Sequence, residues 1–169
     1  MAIRPILPRA MLALPALCLA GCGYAPGYTS PPGVRTVAVP TFNNATFPLR
    51  REVEYDLTST LRKEINTRTN LRLVDSGVAD MTIHGTVREF REKLVAEDRQ
   101  DRKTESSIIV EVDLVVEDYV NAKQWKERVS VREPLSTQTG ETLETARSRA
   151  LGNLAEKIIE QVEFWEAGS

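Results

Sequence analysis

Hydrophobic positions recur along this chain with two different periods. Leu49, Val53, Leu57, Leu61 and Ile65 come at steps of four, while Arg50, Arg51, Glu52, Arg62, Lys63 and Glu64 fall off that line. This spacing predicts a helix of about five turns with a single apolar stripe, opened by Pro48 and bracketed at its end by Asn66 and Asn70. A second, broader stripe runs through Leu143, Ala146, Ala150, Leu151, Leu154, Ile158, Ile159, Val162 and Trp165. It predicts a terminal helix from about Glu141 to Phe164, with Glu141 and Glu144 near its positive end.

Between the helices the period changes to two. Ala79, Met81, Ile83, Gly85 and Val87 alternate with Asp80, Thr82, His84, Thr86 and Arg88, and the alternation slips near Phe90, as a bulge would make it. Ile108, Val110, Val112, Leu114 and Val116 give the cleanest strand. Asn121-Ala122-Lys123 reads as a hairpin turn, and Trp125, Val129 and Val131 return with Lys126, Arg128, Ser130 and Arg132 outside, up to Pro134. Two shorter strands are expected at Val34–Val39, ended by Pro40, and at Leu71–Val74, closed by Asp75-Ser76-Gly77; residues 41–46 read as a loop. Two one-faced helices need an apolar sheet face to cover. The expected fold class is therefore α+β. It is a two-layer sandwich, with a mixed or antiparallel sheet of four to five strands carrying two amphipathic helices on one face. The last three strands form an antiparallel meander.

The first residues follow a different logic. Arg4 and Arg9 precede an apolar run, Ala10–Ala20, about half as long as a bilayer-crossing helix requires. The run ends Leu19-Ala20-Gly21-Cys22, the apolar–small–small–cysteine order of a lipobox. Residues 1–21 thus read as a lipoprotein signal peptide cut before Cys22, whose thiol takes a diacylglyceryl group and whose amine takes a further acyl chain, such as palmitate. Residues 22–33, with Pro26, Pro31, Pro32 and three further glycines after Cys22, read as a lipidated tether, and 34–169 as a single domain. Removing the leader leaves 148 residues, enough for one sizeable core. Loss of Arg4 and Arg9 moves the net charge from −2 to −4, which argues against nucleic acid as a partner. Cys18 leaves with the leader, so the mature chain has one cysteine and no intramolecular disulfide.

Little in the remainder points to chemistry. His84 is the only histidine and falls on a polar strand face, so no transition-metal set is expected. No phosphate loop, nucleophile elbow or zinc motif occurs. Glu111, Asp113 and Glu117 share one side of a strand but read as a solvated sheet face. Residues 88–105 hold six basic and six acidic side chains and read as a charged hairpin tip; Lys126, Arg128 and Arg132 add a basic strip beside it. No cofactor and no enzymatic activity are expected.

The run Gly21-Cys22-Gly23-Tyr24, followed by Pro32-Gly33-Val34-Arg35-Thr36-Val37-Ala38-Val39-Pro40-Thr41-Phe42-Asn43-Asn44-Ala45-Thr46, resembles the LptE family of lipopolysaccharide-assembly lipoproteins. The resemblance continues through the first helix, Leu71-Arg72-Leu73-Val74, Ala79-Asp80 and Thr142-Leu143-Glu144-Thr145-Ala146. It implies an outer-membrane protein anchored through Cys22, with its domain in the periplasm or inside a barrel lumen. There it would plug and help assemble an LptD-type β-barrel that delivers lipopolysaccharide. Some family members bind lipopolysaccharide directly; no motif here carries those binding residues over. Gly23 stands where an aspartate would signal inner-membrane retention. Two other readings compete. One is a lipoprotein of another secretion or assembly machine with a CsgG-like or TolB amino-terminal-like α/β domain, which would alternate strands and helices more. The other is a lipid-anchored enzyme such as a cell-wall hydrolase, which would need a clustered acid, histidine or metal set.

Overall fold

A computed structural model of the chain describes residues 28, 30–93, 106–135 and 141–167. The elements are β1 (Thr36–Ala38), β2 (Asn43–Asn44), α1 (Val53–Arg68), β3 (Arg72–Leu73), β4 (Met81–Lys93), β5 (Ser106–Asp118), β6 (Lys123–Leu135) and α2 (Leu143–Ala167). A short 3₁₀ turn, Ser76–Val78, precedes β4. They form an α+β fold with one mixed sheet in the order β3-β1-β4-β5-β6, and β2 pairs with β4 beside that path. β1 runs parallel to both β3 and β4, whereas β4, β5 and β6 are the expected antiparallel meander.

Burial follows the alternation. Ile108, Val110, Val112, Leu114 and Val116 on β5 are buried, as are Met81, Ile83 and Val87 on β4. The β4–β5 register shifts between Val87 and Glu89, and this bulge returns Phe90 to the buried side. Both helices lie on that side. Val53, Leu57, Leu61 and Ile65 of α1, with Leu151, Leu154, Ile158 and Val162 of α2, complete one core. Ala146, Ala150 and Ala155 are buried too, and their short side chains let α2 approach closely. Arg147 pairs with Asp56 and Arg68 with Glu156, each at 2.7 Å, so the helices run parallel, start beside start.

Three expectations are corrected. First, α1 begins at Val53, and Leu49 is 62% exposed instead of heading the stripe. The backbone of Glu52 is left-handed (φ 72°), which breaks the helical phase. Upstream, Thr46 Oγ1 accepts the N–H of Arg50 (2.8 Å) and Asn44 Nδ2 donates to the carbonyl of Arg50 (2.6 Å), so that turn is committed elsewhere. Second, the segment expected as a loop at 41–46 contains β2, making six strands where four to five were expected; Asn43 and Asn44 pair in parallel with Thr86 and Val87. Third, Pro134 does not end β6, which continues to Leu135. β6 is an edge strand. The carbonyls of Ser130 and Pro134 are reached by Lys157 (3.0 Å) and Arg149 (2.7 Å) of α2. Proline there removes no hydrogen bond from the ladder. α2 starts where Thr142 Oγ1 accepts the N–H of Thr145 (3.1 Å), a side-chain cap close to the expected start.

Candidate functional site

With both helices on one side, no helix among the described residues covers the opposite face of β4–β6. Strand alternation places Thr86 and Arg88 of β4, Glu111, Asp113, Val115 and Glu117 of β5, and Lys126 and Arg128 of β6 on it. Asp113 is its centre: Arg128 Nε and Arg88 Nε each reach its carboxylate at 2.6 Å. The Arg128 hydrogen bond first, and Arg88 after it, hold the Asp113 carboxyl below its ordinary range. Arg128 also lies 3.3 Å from Glu111. Glu117 accepts from Tyr119 Oη (2.7 Å) and Gln124 (3.0 Å), which lower its pKa, and His84 Nε2 is 3.8 Å away. Asn43, His84, Thr86, Arg88, Asp113 and Lys126 are among the residues bounding a shallow, open depression of about 510 Å³ on this face. Chemically it is a lattice of paired charges, suited to facing water or a wet polar wall.

The second constructed region is the end where the tether meets the domain. Asp80 Oδ2 accepts the backbone N–H groups of Arg35 and Thr36, both at 2.9 Å, while Thr36 Oγ1 accepts the N–H of Asp80. The Arg35 backbone bond above all, then those from Thr36, keep the Asp80 carboxyl below its usual value. Asp118, 1% exposed, accepts the N–H groups of Val120 and Asn121 at the β5–β6 turn, and Asn121 Nδ2 reaches the carbonyl of Pro32 (3.1 Å). Gly33 adopts φ 82°, and a side chain there would meet Val120 Cγ1 at 3.1 Å. The last tether residues are thus fastened to this turn.

The sequence profile of the LptE family, described as lipopolysaccharide-assembly, matches residues 34–162. The chain belongs to the LptE family. This is a family of non-enzymatic assembly lipoproteins. No curated protein matches the sequence. Among solved structures, the LptE-family fold here is similar to that of a protein from Xanthomonas campestris, with TM-score 0.59, 12% identity, and coverage of 83% of this chain and 88% of that one. It is similar also to a hypothetical protein from Chlamydia trachomatis (0.58, 12%, 80% and 99%) and to a PelC dodecamer subunit from Paraburkholderia phytofirmans (0.52, 15%, 80% and 94%). At these identities the likeness concerns the fold alone.

Placed in this LptE-family domain, the residues singled out from sequence separate clearly. His84, Glu111, Asp113, Glu117, Lys126 and Arg128 come together on the uncovered face; Arg132 is exposed farther along β6. Each of the three carboxylates has a polar or cationic partner on this face. Arg88 and Arg91 are engaged by Asp113 and Glu89. Cys22 and residues 94–105 of the charged hairpin lie outside the described residues. The clamp of Asp80, Asp118 and Asn121 is not legible in the sequence: their partners lie up to 89 positions away. The only local trace is Asp118 preceding Asn121 in a turn.

Proposed function

We propose that this chain is an outer-membrane lipoprotein that acts as plug and assembly partner of an LptD-type β-barrel in lipopolysaccharide transport. In this reading residues 1–21 are removed and Cys22 carries the lipid. Residues 22–33 tether the domain, 34–169, which sits in the periplasm or the barrel lumen. The observation that carries the reading is the family match, because it spans nearly the whole folded domain instead of one short motif.

Physical considerations support it. The interior of an outer-membrane barrel is polar and wet. A plug must present a surface that stays hydrated and holds its shape without a covering layer. The uncovered face suits this, since its carboxylates are already matched by arginines and a glutamine on neighbouring strands and by Tyr119 at the end of β5. Bringing its paired carboxylates near a polar wall strands none of them without a partner.

The test is a mild-detergent pull-down of the tagged, lipidated protein from outer membranes, with mass spectrometry of what remains bound. A stoichiometric large barrel of the LptD type is the expected result. Recovery of a secretion pore or a cell-wall complex without that barrel would reassign the chain to another envelope machine. Cys22→Ala should move the protein out of the membrane fraction.

A further inference from the structure

We infer that the end of the domain bearing Val78, Tyr119 and Val120 rests on the phospholipid surface that holds the anchor; this builds on the reading of Cys22 as lipidated. Three observations converge on that end.

The first is attachment. Asn121 Nδ2 holds the Pro32 carbonyl at the β5–β6 turn, and Asp80 beside it holds the Arg35 and Thr36 N–H groups, so residues 32–36 join the domain at this end. The second is reach. Tyr28 already packs against the core. Five residues lie between it and Cys22, six steps or about 20 Å of chain at full extension. β4, with 13 residues, spans about 43 Å. The far end of the sheet is therefore beyond the lipid whenever the near end stands upright against it.

The third is the surface itself. Val78 is 74% exposed, Tyr119 54% and Val120 48%, an apolar and aromatic group around the tether's point of entry. Tyr119 keeps its hydroxyl bonded to Glu117 while its ring stays exposed, the combination favoured at the headgroup level. Asp80 and Asp118 point inward at backbone N–H groups, while Asp75, three residues before Val78, is exposed. Arg35 is exposed and available to lipid phosphates. Phe47 and Leu49, which are also exposed, follow Ala45, whose N–H is bonded to the Val87 carbonyl in mid-sheet, and serve as the internal comparison.

The experiment uses the mature lipidated chain. An introduced cysteine is then the only free thiol. Val120→Cys, Val78→Cys and Leu49→Cys are each labelled with an environment-sensitive fluorophore. The proteins are reconstituted in phosphatidylethanolamine–phosphatidylglycerol vesicles that carry a quencher near the headgroups. Labels at positions 120 and 78 should be quenched several-fold and the label at 49 left unchanged. Quenching at 49 instead, or none at 120 and 78 in a chain whose intact mass shows the lipid, overturns the inference. A mature chain whose mass shows no lipid overturns the anchor reading itself, and the inference with it.

Discussion

Gly85 lies on the buried face of β4, under the ring of Phe42. A methyl group placed there would meet Phe42 Cε2 at 2.2 Å, and Phe42 is itself buried, with its backbone N–H held by Thr58 Oγ1 at 3.0 Å. The ring has nowhere to retreat without dragging the backbone. Gly85→Ala should therefore destabilise the domain by about 3 kcal/mol, as overpacking does. Urea unfolding should show a lower midpoint with an unchanged slope. Combined with Phe42→Leu the losses should be clearly less than additive; additivity would mean the two residues do not share the space. The inward position of Gly85 was legible from the alternation Ile83-Gly85-Val87, but its partner is 43 residues upstream and left no mark in the pattern. Asp80 makes the same point through charge. Its folded pKa lies below the ordinary 3.8 because two backbone N–H groups favour the carboxylate. A depressed pKa contributes stability that is present above the unfolded value and fades as pH falls through the folded one. The difference in urea midpoint between parent and Asp80→Asn should be full at neutral pH and shrink below about pH 4. A difference independent of pH would assign the loss to geometry rather than to charge.

At the level of elements, legibility tracked how many residues share a rule. β5 alternates from Ile108 to Asp118 and is legible in the sequence, since every second side chain there obeys the same burial. β2 has two residues, too few for any period, and exists only because Thr86 and Val87 offer it an edge. The start of α1 was misplaced because Leu49 keeps the helical spacing while Glu52, left-handed, interrupts the backbone beneath it. Spacing reports what a side chain could do; it does not report φ. What positions α1 against the sheet is partly polar. Thr58, buried on α1, donates to the carbonyl of Glu54 (2.6 Å) and accepts from the N–H of Phe42. Thr58→Val conserves shape but leaves that N–H without a partner in the interior. A loss of about 2 kcal/mol is expected, the cost of a buried unsatisfied donor. Thermal unfolding of Thr58→Val beside Thr58→Ser would check it. The serine should retain most of the stability, and equal losses in both variants would show that the methyl group matters, not the bond.

For the whole molecule, the one-sided placement of the helices divides the work. The covered side supplies stability, and the uncovered side is free to meet a partner. The two sides should therefore respond differently to mutation. Lys126 and Arg128 are exposed on β6, directly across from Val115 and Asp113. Reversing both, as Lys126→Glu with Arg128→Glu, places like charges opposite each other at Asp113, while Arg88 still holds that carboxylate. Exposed pairs of this kind contribute up to about 1 kcal/mol each, so the domain should stay folded and lose about 1–2 kcal/mol. Leu154→Ala, in the core, should lose about 2–5 kcal/mol. If the uncovered face is what a barrel wall sees, the ranking reverses in the pull-down. The charge-reversed protein should recover much less barrel than Leu154→Ala does at a temperature where both remain folded. Equal recovery from the charge-reversed and parent proteins would take the uncovered face out of the interface. The helical side, or the exposed loop at Phe47 and Leu49, would then be the surface to test.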